Sequence, residues 1–139
     1  MNNLIIISVI AKPGHAFVGY DLMQAIHATG MRFGAMNIFH YYLPKIGGTT
    51  PVFSLASMSE PGYFNWDKIG DFSCNGLCLF MDIEQNTAPE EIFALMVATA
   101  EQLADDLQGE LRAGQNLPWN EDILKEYEDK LAAFSLSDT

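Results

Sequence analysis

GMRFGAMNIFHYYLP at 30–44 and PVFSLASMSEPGYF at 51–64 are two β-rich stretches whose apolar residues fall at both parities along the chain. Side chains alternate between the faces of a strand, so strands built from these stretches are apolar on two sides. In an antiparallel sheet one face packs the core while the other meets water and reads polar. The second apolar face therefore needs a cover. A partner is one answer, and a helix or long loop of the same chain is the other that pattern alone leaves open.

Working outward, Leu4 to Ala11 is β-branched and apolar on both parities, broken only by Ser8, and ends at the turn signal Lys12-Pro13-Gly14. It reads as a central strand. Between Phe17 and Thr29 the residues Val18, Leu22, Ala25, Ile26 and Thr29 recur at helical spacing, with Gly30 as a C-terminal cap. Met36–Tyr42 and Val52–Met58 read as antiparallel strands joined by a loop with Pro44, Gly47 and Gly48, and 59–70 as a connection with a helical turn near Trp66. Gly76–Ile83 is the fourth clear strand. Thr87-Ala88-Pro89-Glu90 opens the longest helix, with Thr87 as its N-cap and Ile92, Phe93, Met96, Val97, Ala100, Leu103, Ala104 and Leu107 as its buried stripe. A short strand at Glu110–Arg112 follows. Asn120 then caps a last helix, whose Glu121/Lys125 and Glu126/Lys130 are spaced to pair. The order predicts an α+β fold, an antiparallel sheet of about six strands with three helices mainly on one face.

A chain of 139 residues is one domain, 1–139, large enough to bury a core without disulfide or metal. With 49% hydrophobic and 18% charged residues it has the composition of a folded globule. The net charge of −11, with seven scattered basic residues, argues against nucleic acid and against anionic lipid. No run of about 18 apolar residues could span a bilayer, and the apolar start lacks the flanks of a signal peptide. Two cysteines are too few for a secreted disulfide framework, so a cytoplasmic setting is expected.

Nothing in the sequence assembles a catalytic centre. His15 falls in a loop, His27 on a helix and His40 on a strand as a polar edge residue, without a motif around any of them. Cys74 and Cys78 lack a second ligand pair for zinc and read as small buried residues. Glu90/Glu91 and Asp105/Asp106 lie on solvated helix faces, the glycines are turn glycines, and Trp66 and Trp119 read as core lids. No cofactor is expected.

Alternation groups Ile5, Ile7 and Val9 as the better core face of the first strand, leaving Leu4, Ile6 and Ser8 opposite. Carried through the other strands, it gathers a second apolar surface from Leu4, Ile6, Met36, Ile38, Ala56, Met58, Cys78 and Phe80. Thioether and aromatic groups over small residues make a shallow, adaptable trough for an apolar partner.

The succession Gly30, Phe33-Gly34, Met36-Asn37-Ile38, His40, Phe53-Ser54-Leu55-Ala56, Met58, Pro61-Gly62, Phe64, Asp71-Phe72 and Phe80-Met81 resembles the C-terminal domain of the ZipA family of bacterial cell-division proteins. The resemblance implies a split β-α-β type of fold. It also implies a non-enzymatic domain that binds the C-terminal tail peptide of FtsZ across the helix-free face of its sheet, in a groove at Leu4, Ile6, Met36, Ile38, Ala56, Met58 and Phe80. A monomer is expected, at the cytoplasmic face of the inner membrane but without direct membrane contact. There it would help tether FtsZ filaments, the family's anchor and linker lying outside this chain. Two groove positions depart from the family pattern: Glu60 stands where a basic residue is usual, and Cys78 replaces a small polar residue. The alternative is a ferredoxin-like regulatory domain that binds a small molecule and uses the apolar face to dimerise, which rests on fold analogy alone.

Overall fold

The computed structural model describes residues 3–137, the side chains of Trp66 and of 135–137 excepted. In chain order the elements are β1 (Leu4–Ile10), β2 (Phe17–Val18), α1 (Gly19–Ala28), β3 (Arg32–Phe33), β4 (Phe39–Tyr41), α2 (Pro44–Gly47) and β5 (Phe53–Ser57). After these come β6 (Ser73–Cys74), β7 (Gly76–Asp82), α3 (Pro89–Leu107), β8 (Glu110–Ala113), β9 (Leu117–Pro118) and α4 (Glu121–Ser137).

Seven strands form one antiparallel sheet in the order β3-β4-β5-β7-β1-β8-β9. The isoleucine-rich β1 lies inside it, paired with β7 along its whole length and with β8 over residues 7–10. Over residues 7–10 the strand is paired on both sides, and apolar, mostly β-branched residues fill every position of it but Ser8. Its odd-numbered side chains Ile5, Ile7 and Val9 are fully buried, as are Leu77, Leu79 and Met81 of β7 and Phe53 and Leu55 of β5. Against this face pack α1 and α3, through Leu22, Ala25, Ile26, Ile92, Phe93, Met96, Ala100 and Leu103. The last helix, α4, lies on α3 and sends Leu131 into the same core.

Close approach decides one glycine. A Cβ on Gly19 would overlap the Ile69 carbonyl, so only glycine lets α1 start hard against the 3-10 turn Trp66–Asp71.

Several expectations are corrected. Phe17 and Val18 do not open the first helix but pair with Ser73 and Cys74 as a separate two-stranded sheet. Met36 is not on a strand. Arg32–Phe33 pairs with Phe39–His40, which makes 34–38 the loop of a hairpin that begins earlier than the apolar pattern suggested. Ala88, not Thr87, is the cap of α3, because the Thr87 hydroxyl turns to the Ile46 carbonyl (3.4 Å). Lys125 pairs with Asp129 (3.0 Å) rather than Glu121. The Asn120 cap forms, its Oδ1 accepting from the Ile123 N–H at 2.9 Å. Trp119 packs at the core margin, while the Trp66 side chain lies outside the described residues.

Candidate functional site

The register fixes what shares the face turned away from the core. One row runs Arg32, His40, Ser54, Phe80, Ile6 across five strands, since each opposes the next. The row beside it runs Ala56, Cys78, Ser8, Arg112. Leu4 opposes Asp82 at one end of β1. Continuing the β4–β5 register by one residue sets Ile38 opposite Ala56.

Phe80, Ile6, Ala56 and Cys78 therefore share this face with His40, Ser54 and Ser8, and an arginine ends each row. Phe80, Ile6, Ala56 and Cys78 are half-buried, and Leu4, Met36 and Met58 are exposed at 47%, 77% and 37%. Those three are among the seven large apolar side chains exposed in the described residues. Met58 follows β5 and hydrogen-bonds its N–H to the Gly76 carbonyl (2.9 Å). Its sulfur lies over Gly76, where a Cβ would come within 2.9 Å of it, so glycine gives the thioether its seat. Ile38 is 6% exposed yet stands apart from the helix-side core cluster, as its parity requires.

Beneath these side chains the floor carries polar groups that parity could have flagged: Ser8, Ser54 and His40. All three are buried and all are satisfied. The Ser8 hydroxyl donates to the Gly114 carbonyl at 2.6 Å. The Ala35 carbonyl can only accept, so His40 Nε2 carries a proton and donates to it (2.9 Å), while Nδ1 accepts from the Ser54 hydroxyl (2.7 Å). His40 is thus an internal sheet residue and not the edge residue its position in the sequence suggested. Burial pushes the Cys78 thiol above its ordinary range, partly countered by the Ser8 hydroxyl.

Charge sits on the rim. Glu60 is exposed in the turn after β5, closed by Ser57 N–H to the Gly62 carbonyl (3.1 Å) and Gly62 N–H to the Ser59 carbonyl (2.8 Å). Arg32 and Arg112, the chain's two arginines, end the two rows on opposite sides. Arg112 is tied to Glu110 at 3.3 Å.

Met36 owes its exposure to the loop it occupies. Met36 and Asn37 have φ of 62° and 57°, two consecutive left-handed residues that are not glycine. Each costs on the order of 1 kcal/mol relative to ordinary backbone and persists only when held by its surroundings.

Such a face offers a dry, shallow apolar strip with satisfied polar groups below it, suited to a few large apolar side chains of an extended or helical peptide. The more enclosed clefts lie elsewhere, for example about 320 Å³ between α3 and α4, lined by Phe93, Ala94, Val97, Leu124 and Leu131 among others. Among the described residues no group of three or more His, Cys, Asp or Glu is placed to hold a metal ion.

Comparison with known proteins matches residues 3–130 to the family described as ZipA, C-terminal FtsZ-binding domain. The chain is 35% identical over 131 residues to the cell division protein ZipA of Shewanella loihica, covering 94% of this chain and 39% of that protein. It is 34% identical over 130 residues to the ZipA of Azotobacter vinelandii, covering 94% of this chain and 46% of that protein. With the ZipA of Pseudomonas syringae pv. syringae it shares 33% identity over 134 residues, or 96% of this chain and 47% of that protein. The chain thus spans less than half the length of these relatives.

Proposed function

Since the chain belongs to the ZipA C-terminal, FtsZ-binding domain family of cell-division proteins, we propose that it captures the C-terminal tail peptide of FtsZ on the open face of its sheet. The contact residues of this reading are Leu4, Ile6, Met36, Ile38, Ala56, Met58, Cys78 and Phe80, with Glu60 on the rim. One observation carries it: apolar side chains of three adjacent strands share the face opposite α1 and α3, with further apolar groups in the two turns that flank them, and three of the set stand exposed. Phe80 and the two methionines act as anchors, an aromatic wall between two pliable thioethers. Binding is by burial of apolar area, with no bond made or broken in the partner. The domain works as a monomer, because self-association would cover the strip that the tail needs.

In the whole protein this capture helps tether FtsZ filaments at the cytoplasmic face of the inner membrane during division-ring assembly. Among the described residues no helix is long and apolar enough to cross a membrane, so the tethering is assigned to segments outside this domain.

The test is a calorimetric titration of the domain with a synthetic FtsZ tail peptide beside a scrambled peptide of the same composition. Saturable binding of the first and none of the second is expected, with a negative heat-capacity change from apolar burial. Equal heats from both peptides, or none from either with a folded domain, would refute the reading.

A further inference from the structure

We infer that His40 is a positioning residue for this face: its ring clamps the 34–38 loop so that Met36 stands out as a pre-set anchor. The inference rests on the tail-binding reading above and names the device that readies the site for it.

The first support is conformational. Met36 and Asn37 are left-handed in succession, with φ of 62° and 57°. Residues with side chains keep that geometry only where neighbouring groups impose it. The second support is the set of bonds that impose it. Asn37 N–H donates to the Gly34 carbonyl (2.9 Å), Gly34 N–H to the Ile38 carbonyl (3.0 Å) and Phe64 N–H to the Asn37 carbonyl (2.9 Å). His40 Nε2–H donates to the Ala35 carbonyl (2.9 Å), the residue just before Met36. Among the described residues it is the one side chain in that set. The third support is where the ring is anchored. His40 is 5% exposed, and its Nδ1 accepts from Ser54, whose direct neighbour in the register is Phe80. A hydrogen-bonded chain therefore runs from Ser54, which faces Phe80 across the β5–β7 register, through His40 to the carbonyl that precedes Met36.

Methionine has three rotatable bonds and adapts its tip to a partner, so its backbone is what remains to be fixed before binding. Fixing it in advance lowers the ordering penalty at the moment of association. A purely structural histidine would steady the hairpin without influencing the tail through Met36, and the two roles separate in a double-mutant cycle.

Tail titrations are run on Met36→Ala, His40→Leu and the double variant. Each single change is expected to weaken binding roughly tenfold, and the double variant should be no weaker than Met36→Ala alone. His40→Gln, whose amide nitrogen reaches the Nε2 position, should retain most of the affinity. Losses that multiply in the double variant, or a folded His40→Leu with wild-type affinity, would overturn the inference. Should His40→Leu not fold, the exposed Asn37→Val replaces it, since a β-branched residue resists the left-handed turn. Wild-type affinity in that variant is equally fatal. Absence of tail binding by the wild-type domain would instead sink the tail-binding reading. The clamp is then judged by hydrogen exchange: the Asn37 and Phe64 amides should exchange faster in the His40→Leu or Asn37→Val variant while the Leu55 and Leu79 amides do not, and equal rates overturn it.

Discussion

Truncating Phe80 separates the binding face from the fold. The ring stands on β7 between Ile6 and Ser54 in the register, on the side away from α1 and α3. It is half-buried and lies outside the core cluster, whereas Leu79 and Met81 beside it point inward and are fully buried. Phe80→Ala should therefore cost no more than about 1 kcal/mol of stability, against roughly 2–5 for a buried residue such as Leu79 truncated to alanine. The binding loss is larger. A tail side chain seated on the ring covers about 40 Å² of it and loses a similar area itself, so roughly 80 Å² leaves water on binding. At about 25 cal/mol per Å² this is about 2 kcal/mol, or some thirtyfold in affinity. Calorimetric titration with the FtsZ tail peptide gives the affinity, and a urea unfolding curve of the same preparation gives the stability. A folded variant within about twofold of wild-type affinity would show that the tail does not use this face. An unfolded variant would show instead that the ring belongs to the core.

Three further outcomes follow from the same geometry. Glu60→Lys on the exposed rim should tighten binding of an acidic tail at about 20 mM salt and lose that advantage near 500 mM, where charges are screened within a few ångströms; weaker binding at low salt would contradict the rim assignment. The Cys78 thiol, raised by burial, should alkylate more slowly than a free thiol at neutral pH, with the deeply buried Cys74 slower still, and a saturating tail should slow Cys78 further; no protection by the tail would count against its position in the trough. Tyr127 bridges α4 to the sheet, its oxygen accepting from Gly114 N–H (3.1 Å) and donating to the Ile6 carbonyl (3.4 Å). Burial first, then the charge of Glu126, push its phenol above the ordinary value of 10.0, with the Gly114 bond acting against them. The folded state thus keeps this proton longer than the unfolded chain, so the contribution is complete below about pH 10 and falls as the pH rises beyond it. Tyr127→Phe should cost about 1 kcal/mol at neutral pH and flatten that alkaline decline in urea midpoints; a decline as steep as the wild type's would refute the assignment.

Parity was enough to read which residues share each face of β1 and β7, but not which face the helices cover. Ile5, Ile7 and Val9 are the buried set, and Leu4 and Ile6 fall opposite, because a strand paired on both sides cannot slip without exchanging its faces. The helices were legible from their stripes, and three departures from expectation have local causes. Met36 looked like a strand residue because apolar periodicity is silent about where a hairpin turns, and the two-residue strand Arg32–Phe33 is too short to leave a pattern. Thr87 carried a cap signature but took a carbonyl from the 44–47 turn, a tertiary contact that no local window contains. The polar floor escaped notice for another reason. Alternation put Ser8 beside Leu4 and Ile6, but Ser54 and His40 look like interruptions one strand at a time, and the register across β4, β5, β7 and β1 shows that all three share the face of the apolar strip.

On the tail-binding reading, that mixed composition lets the face bind a peptide without pairing with its own kind. Were every position on the open side as apolar as Phe80, the sheet would present a broad greasy surface on each copy, and pairing of two copies would be its natural relief. Here His40, Ser54 and Ser8 share the face with the apolar groups, their hydrogen bonds closed internally, so these positions gain little from being covered by a like surface. Leu4, Met36 and Met58 are the exposed apolar groups of the proposed contact set. A chain charge of −11 adds long-range repulsion between copies, which the short apolar contact must overcome before two strips can meet. A single tail, bringing its own apolar side chains and less charge than a whole domain, meets a weaker barrier. On that reading, selection of a peptide over a second copy follows from the polar interruptions of the face and the charge around it, and not from greater apolarity.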